Sequence, residues 1–481
     1  MKEIIKIING LSNGYEVFGV GGFSRDLILG LKHKDIDLAV NKDAHKFAKK
    51  VAKALNSKLV VLDDKDKVYR IIIKDAGISN IDISLFDGKN IGEDLKNRDY
   101  TVNATAFELK FFDGFKKHMI YAGKDCVKDL KSKRLNVVSP GVFKKDPLRM
   151  LRAFRFAAEL GLKIADETYK HIKKAAKLIK KAAPERIKNE FFRILTAKNS
   201  SVLLKEMDKC GLLAEIFPEV KSMKKAAKKY YYHPGGLFQH SFETMEACED
   251  ILNNLKKYFP DNCTELQKHF EEGEIYSENV TRCNILKFAA LFHDSAKPET
   301  AKKEGGKMRF FGHEEAGAKK TEKIIRALKM SKKDTAGAKF LIENHMRPST
   351  LTRNNTVTQK ASLKFFRDVA DNTPDLLVLS MADWHSYKKL KIFSQKELKA
   401  QERSVRKLVK YYYEIKNAKP LPKLVDGNVL MKEFKLKPGP WLGELIETVL
   451  AAQQEGKVCD KKGALALVSA NLKAVKKKYK I

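Results

Sequence analysis

Residues 17–40 read VFGVGGFSRDLILGLKHKDIDLAV. The apolar run of Val17, Phe18 and Val20 predicts a short buried strand. It meets Gly21-Gly22, where the missing Cβ permits φ > 0 and lets a ligand lie against the backbone. Ser24-Arg25-Asp26 then opens a helical pattern (Leu27, Ile28, Leu31), with Ser24 in the N-cap position. A helix start behind two glycines offers free N–H groups and a positive dipole end to a phosphate. Arg25, one residue in, adds a bidentate phosphate donor. In Asp35-Ile36-Asp37, strand alternation projects both carboxylates to one face while Ile36 packs behind. Paired carboxylates repel unless a cation sits between them, and Mg²⁺ suits a site that shares it with phosphates and water.

Three other readings compete. Asp-x-Asp is common on solvated strand faces, and Gly21-Gly22 also fits a plain turn. Gly19-x-Gly21-x-x-Ser24 half-matches a dinucleotide fingerprint, with Asp37 near the spacing of its ribose acid. That acid should end its strand, whereas Asp35 and Asp37 precede the apolar Leu38, Ala39 and Val40. The combination of Gly-Gly, Arg-Asp and Asp-x-Asp is much rarer than its parts. GGFSRDLILG followed by DIDLAV resembles the signature of the tRNA nucleotidyltransferase (CCA-adding) and bacterial poly(A) polymerase family, within the DNA polymerase beta superfamily. Ser24 stands where valine is usual.

The resemblance implies an α+β protein: a DNA polymerase beta-like head with a small mixed sheet, then an all-helical neck, HD body and tail. It places the head at residues 1–140, the neck at 141–222, the HD domain at 223–400 and a basic helical tail at 401–481. Apolar spacing predicts a helix over 44–55 and strands over 59–62, 69–73 and 78–85. Asp82 interrupts the last strand and is the candidate third catalytic carboxylate beside Asp35 and Asp37. NRDYTVNA, residues 97–104, resembles a second family motif, which implies that Arg98 reaches the triphosphate and Asn103 holds the local backbone or sugar. Residues 123–130 resemble the loop closing the head. Residues 84–96 are all that lies between the third-carboxylate strand and the Arg-Asp motif. In the family a short loop there accompanies enzymes that add C residues and stop, and also occurs in some HD-containing members.

DPLRMLRAFRFA, residues 146–157, resembles the family's neck helix. Asp146, Arg149, Arg152 and Arg155 recur every three residues and form a ridge, with Leu148, Leu151, Phe154 and Phe156 on the packing side. An Asp–Arg pair can read a base: the carboxylate accepts from an exocyclic amine while the guanidinium donates to a ring acceptor. The resemblance gives that role, selecting C and A, to Asp146 and Arg149, and phosphate binding to Arg152 and Arg155. Lys145 stands where the family usually has Glu. Pro184-Glu185-Arg186 with Glu190 reads as a helix start used for neck packing and salt bridges.

Downstream, His240, His293-Asp294 and Asp383 resemble the HD phosphohydrolase metal set, at a buried wall after an apolar helix over 285–292. His313 and His345 could complete a second divalent-metal position or contact phosphate. In the family such a domain is a phosphohydrolase or largely a scaffold. Residues 400–412 read as a basic helix and Pro438-Gly439-Pro440 as a turn before another helix; the lysine-rich end, 473–480, reads as frayed.

Composition fits an RNA partner. Lys+Arg of 95 against Asp+Glu of 60 gives a net charge of +35 over 481 residues. Such an excess steers polyanions and makes binding fall with salt; a general surplus of solvated lysines is the alternative. Tyr230-Tyr231-Tyr232 and Tyr411-Tyr412-Tyr413 could stack on bases or pack in cores. The six cysteines lack zinc-like spacing and read as reduced, mostly buried thiols of a cytoplasmic protein. Residues 1–8 are too short and charged for a signal peptide, no apolar run approaches membrane length, and no protein partner is implied. The expected activity is template-independent addition of C and/or A to tRNA 3′ ends from CTP and ATP, with Mg²⁺ in the head. Rivals are poly(A) addition, an HD-type hydrolase acting on nucleotides or cyclic phosphates, and a non-catalytic RNA-binding module.

Overall fold

The computed structural model describes residues 1–32, 35–63, 67–75, 77–116, 119–123, 125–226, 235–271, 276–277, 279–352, 357–388, 392–418 and 421–479. The chain forms two compact units. One holds residues 1–225 with 277–280 and 324–331; the other holds 226–276, 281–323 and 332–481. The expected head and neck therefore belong to one unit.

Its sheet contains β1 (Val17–Val20), β2 (Asp35–Val40), β3 (Lys58–Asp63), β4 (Val68–Asp75), β5 (Ile78–Leu85), β6 (Thr105–Glu108) and β7 (Tyr121–Ala122), in the order β3-β4-β5-β2-β1-β6-β7. β2 and β5 run parallel, while the other pairings are antiparallel, giving the expected mixed sheet. Ile36, Leu38, Ile81, Ile83 and Ile71 are buried against Phe47 and Val51 of the helix Ala44–Ala54 and Ile5 and Ile8 of the helix Lys2–Leu11. Period-two alternation sends Asp35, Asp37 and Ala39 to the opposite face. There Ala39 joins a core with Val20, Ala106, Ile91 and Leu95, the last two from the helix Ile91–Lys96 that fills most of the short β5–motif connection.

Two local expectations are corrected. The helix behind the glycines spans Gly21–Leu29, with Val20 in the N-cap position. Ser24 is thus an interior, fully buried helical residue and caps nothing. Gly21 at φ 58° turns the chain directly out of β1, so the glycines themselves enter the helix. The supposed loop over 123–130 contains a helix, Cys126–Lys131, pinned by its buried Cys126 and Leu130.

The neck helix spans Arg149–Leu160, so Asp146, Pro147 and Leu148 precede it. Met150, Leu151, Ala153, Phe154, Phe156 and Ala157 are buried, and so is Arg155. The helix packs on Pro184–Leu195. It is buried over most of its surface, Arg155 included, and does not present one exposed arginine ridge.

In the second unit, helices Leu237–Asn253, Arg282–Phe292, Lys332–Asn344, Thr373–Ser386 and Gln395–Asn417 form the body. Every residue from Asn284 to Phe292 is buried, which accounts for its mostly apolar character; the buried Lys287 is paired with Glu249. Gln395–Asn417 opens with a capping box between Ser394 and Glu397 and runs straight through the expected 400/401 boundary. Its buried Leu398, Gln401, Val405 and Leu408 tie it to the body. Tyr412 and Tyr413 are also buried and Tyr411 half-buried, so packing, not base stacking, claims the first two. Tyr230, Tyr231 and Tyr232 lie outside the described residues. The tail helices Gly427–Phe434, Pro440–Gln454 and Lys461–Tyr479 share their own core of Leu430, Leu445, Val449, Ala464 and Val468. The last helix stays regular to Tyr479. Lys478 Nζ and Tyr479 OH reach Glu444 Oε2 at 2.7 and 2.8 Å, so the expected fraying is absent up to that residue. No helix among the described residues is long and apolar enough to cross a membrane.

Candidate active site and metal centre

Parallel register sets Asp37 opposite Asp82, and Asp35 opposite Asn80. Asn80 Nδ2 donates to Asp35 Oδ1 at 3.2 Å. A Cβ on Gly21 would stand 3.3 Å from Arg98 Nη1, and one on Gly22 would stand 3.2 Å from Asp37 Oδ2. The glycines therefore keep open the space beside Asp37. Desolvation, then the charge of Asp82, push the Asp37 carboxyl up to about 6; Arg98 opposes this and Asp35 adds to it. Acids crowded this way favour a bound cation.

The arginines around this face already have partners. Arg70, which sequence reading passed over, grips Asp82 with both prongs: Nε to Oδ1 and Nη2 to Oδ2, each 2.8 Å. As a third metal ligand, Asp82 would have to share its oxygens with that fork. An arginine inside an apolar strand, pairable with a carboxylate in the next strand, was the available signal. Arg98 donates Nε and Nη2 to Asp94 Oδ2 at 2.9 and 2.7 Å. Arg25 donates Nε to Asp26 Oδ1 at 2.8 Å and Nη1 to Asn103 Oδ1 at 2.6 Å. Asn103 thus orients Arg25.

In the neck, Asp146 Oδ1 accepts from the Leu148 N–H at 3.0 Å and its Oδ2 from Arg186 Nη2 at 2.8 Å. Arg149 Nη1 donates to the Asn97 carbonyl at 2.9 Å. Lys145 pairs with Asp87. Arg152 Nε lies 2.7 Å from Asp99 Oδ2. Arg155 donates Nε to Glu190 at 2.6 Å and Nη1 to Glu159 at 2.7 Å. The expected phosphate role of Arg155 is corrected, because the side chain is buried and neutralised by these acids. Arg152, about a third exposed, is likewise committed to Asp99. Glu190 performs the neck salt bridging expected of its helix.

The second unit gathers six metal-ligating side chains. His240 Nε2 lies 3.3 Å from His293 Nε2, 3.4 Å from Asp294 Oδ2 and 3.2 Å from Asp383 Oδ1. His313 Nε2 lies 3.3 Å from both His345 Nε2 and Asp294 Oδ1. His240, His293, Asp294 and His345 are essentially inaccessible. Despite burial, the charges of His293 and Lys297 hold the Asp294 carboxyl well below the usual range.

Residues 17–136 match the poly A polymerase head domain, 161–224 the RNA and SrmB-binding site of polymerase A, 237–388 the HD domain and 313–468 the tRNA nucleotidyltransferase domain 2. Segment by segment, the chain is similar to the tRNA nucleotidyltransferase and poly(A) polymerase family. It is 29% identical over 461 residues to the CC-adding tRNA nucleotidyltransferase of Thermus thermophilus, covering 94% of this chain and 93% of that protein. It is 26% identical over 461 residues to the A-adding enzyme of Deinococcus radiodurans, covering 93% and 94%. The Thermotoga maritima CCA-adding enzyme complexed with tRNA superposes with a TM-score of 0.63 at 20% identity, covering 98% of this chain and 95% of that one. A CCA-adding enzyme complexed with ATP gives 0.64 at 21% identity, covering 98% and 94%. Head and HD domains of this kind imply divalent metal use, and His240, His293 and Asp383, or His293, Asp294 and His345, lie close enough to share an ion.

Proposed function

We propose that this protein adds C and/or A residues to the 3′ end of tRNA without a nucleic-acid template, using CTP and ATP and releasing pyrophosphate. The observation that carries it is Asp37 beside a glycine-lined space, with Asp35 two residues away on the same strand, in a chain whose residues 17–136 match the head domain. The RNA 3′-hydroxyl attacks the α-phosphorus, and the bond to the bridging oxygen of the β-phosphate breaks. Mg²⁺ held by Asp35 and Asp37 would activate that hydroxyl and stabilise the leaving oxygen. Gly21 and Gly22 admit the triphosphate, while Arg25 and Arg98 face it from positions set by Asn103 and Asp94. Asp82, gripped by Arg70, acts on Asp37 through its charge. Asp146 and Arg149 select the base, with Arg186 and the Asn97 carbonyl orienting them. Relatives matched over most of their length are CC-adding and A-adding enzymes, which supports RNA, not a small acceptor, and a cytoplasmic setting.

The test is incubation with tRNA ending at the discriminator base and each nucleoside triphosphate separately, followed by sizing of the products. Extension by CTP, ATP or both supports the reading and separates C, A and poly(A) addition. No extension with any triphosphate would overturn it. The buried His–Asp cluster favours a second, hydrolytic reading. It would be supported by metal-dependent phosphate release from nucleotides or cyclic phosphates that persists in Asp37→Ala.

A further inference from the structure

The basic helix of the second unit, Gln395–Asn417, and the helix Gln359–Val369 frame a cavity of about 670 Å³. Its size falls within the roughly 300–1,000 Å³ of pockets that take small organic ligands. Lys396, Ala400, Arg403, Ser404, Lys407, Leu408 and Tyr411 form one wall; they recur three or four residues apart and so share a helix face. Gln359 and Ser362 contribute from the other helix. From the charge and surface of this cavity we infer that it is a ligand site built entirely within the second unit, for a nucleoside polyphosphate: a flat ring carrying several negative charges.

Its cations are uncommitted. No carboxylate among the described residues lies within ion-pair distance of Lys396, Arg403 or Lys407, and all three residues are exposed. Elsewhere on the same helix charges do find partners: Glu402 meets His385 at 2.7 Å and Lys416 meets Asp371 at 2.8 Å. Glu397 also lines the cavity, but its Oε2 accepts from the Ser394 N–H and from the Ser394 hydroxyl, both at 2.7 Å. The lining keeps an excess of positive charge that a polyanion would neutralise. Arg403 supplies a planar fork that matches pairs of phosphate oxygens, and Lys407, one turn on, supplies a point charge.

Two observations besides charge point to a nucleoside. Ser404 lines the cavity at 8% exposure, and its hydroxyl makes no hydrogen bond among the described residues. A buried hydroxyl that has lost water needs another partner, which a ribose hydroxyl or a phosphate oxygen supplies. Tyr411 is only half-buried, unlike Tyr412 and Tyr413. Phe366 fixes its ring from one side, with centroids 5.7 Å apart. Beside the buried Leu408, Tyr411 gives the cavity an apolar, aromatic surface on which a base can stack. A bare phosphate would leave that surface unused, and an uncharged ring would leave the cations unused. The inference is independent of nucleotidyl transfer in the head.

The test is photolabelling of the full chain with 8-azido-ATP, the labelled peptides being mapped by mass spectrometry. Labelling within residues 395–417 is expected, blocked by excess ATP but not by adenosine, which lacks the phosphates. Arg403→Gln combined with Lys407→Gln should cut it by about tenfold or more, through loss of charged hydrogen bonds, while keeping the parent's circular dichroism. Lys399→Gln combined with Lys410→Gln removes the same charge from exposed residues of that helix outside the cavity lining, and should leave the labelling unchanged. Absence of label in 395–417, equal losses in the two double variants, or equal protection by adenosine would overturn the site. Protection by single-stranded RNA that exceeds protection by ATP at equal nucleotide concentration would assign this face to RNA and overturn it as well.

Discussion

Asp37 on β2 and Asp82 on β5 are register partners across the parallel pair of the head sheet, yet Arg70 holds both oxygens of Asp82. The guanidinium neutralises the acid that would otherwise add most to the negative charge on Asp37. Arg70→Ala should therefore tighten divalent binding at Asp35 and Asp37. The Mg²⁺ concentration for half-maximal nucleotide addition should fall several-fold, by roughly the 1 kcal/mol of a partly exposed pair. An unchanged Mg²⁺ dependence would show that the fork has no influence on the site.

Asp37→Ala removes the carboxylate nearest the glycine-lined space. Nucleotide addition should drop below detection while tRNA affinity changes less than about threefold, because phosphate contacts elsewhere set that affinity. Filter binding and product sizing on the same preparation separate the two.

Arg149 is held by the Asn97 carbonyl, and Asp146 by Arg186 and the Leu148 N–H. Arg149→Ala should blur nucleotide choice, visible as incorporation of UTP or GTP, at a cost of about 1–3 kcal/mol in discrimination. Arg186→Ala should produce the same error at lower frequency, since Asp146 loses only its orientation. Faithful C and A selection in both variants would remove the pair from base reading.

The ion pair of Arg155 with Glu190 has side chains only 7% and 11% exposed. Arg155→Met should lower stability by about 3–5 kcal/mol, because it leaves a buried carboxylate unpaired. Adding Glu190→Leu should recover most of the loss. The midpoint of urea unfolding measures both, and an unaltered midpoint in the single variant would mean that the pair is not formed.

Asp99 gives a pH dependence. Burial pushes its carboxyl up, but Arg152 and Arg149 outweigh this and hold it below the usual range. The folded value lies below the unfolded one of about 3.9. Its contribution is therefore complete above that value and disappears as pH falls through the folded value. Asp99→Asn should lower the melting temperature at pH 7 by the equivalent of roughly 2 kcal/mol, less than a fully buried pair because Arg152 is a third exposed. It should also flatten the fall in melting temperature below pH 4. A parallel fall in both proteins would refute the assignment.

Local pattern alone determined the strand–glycine–helix–strand order of residues 17–40, the shared face of Asp35 and Asp37, and the apolar helix ending at His293. These depend on backbone periodicities of two and 3.6 residues, which neighbours in sequence report directly. Tertiary structure decided which partner each charge meets. Arg155 lies at ridge spacing in sequence but meets Glu190, 35 residues on, inside a helix pair. The two oxygens of Asp294 face histidines drawn from residues 240 to 345. Helical spacing says which side chains share a face, but only packing says whether that face meets water, a phosphate or an opposing carboxylate, because burial makes an unpaired charge costly and so selects its partner.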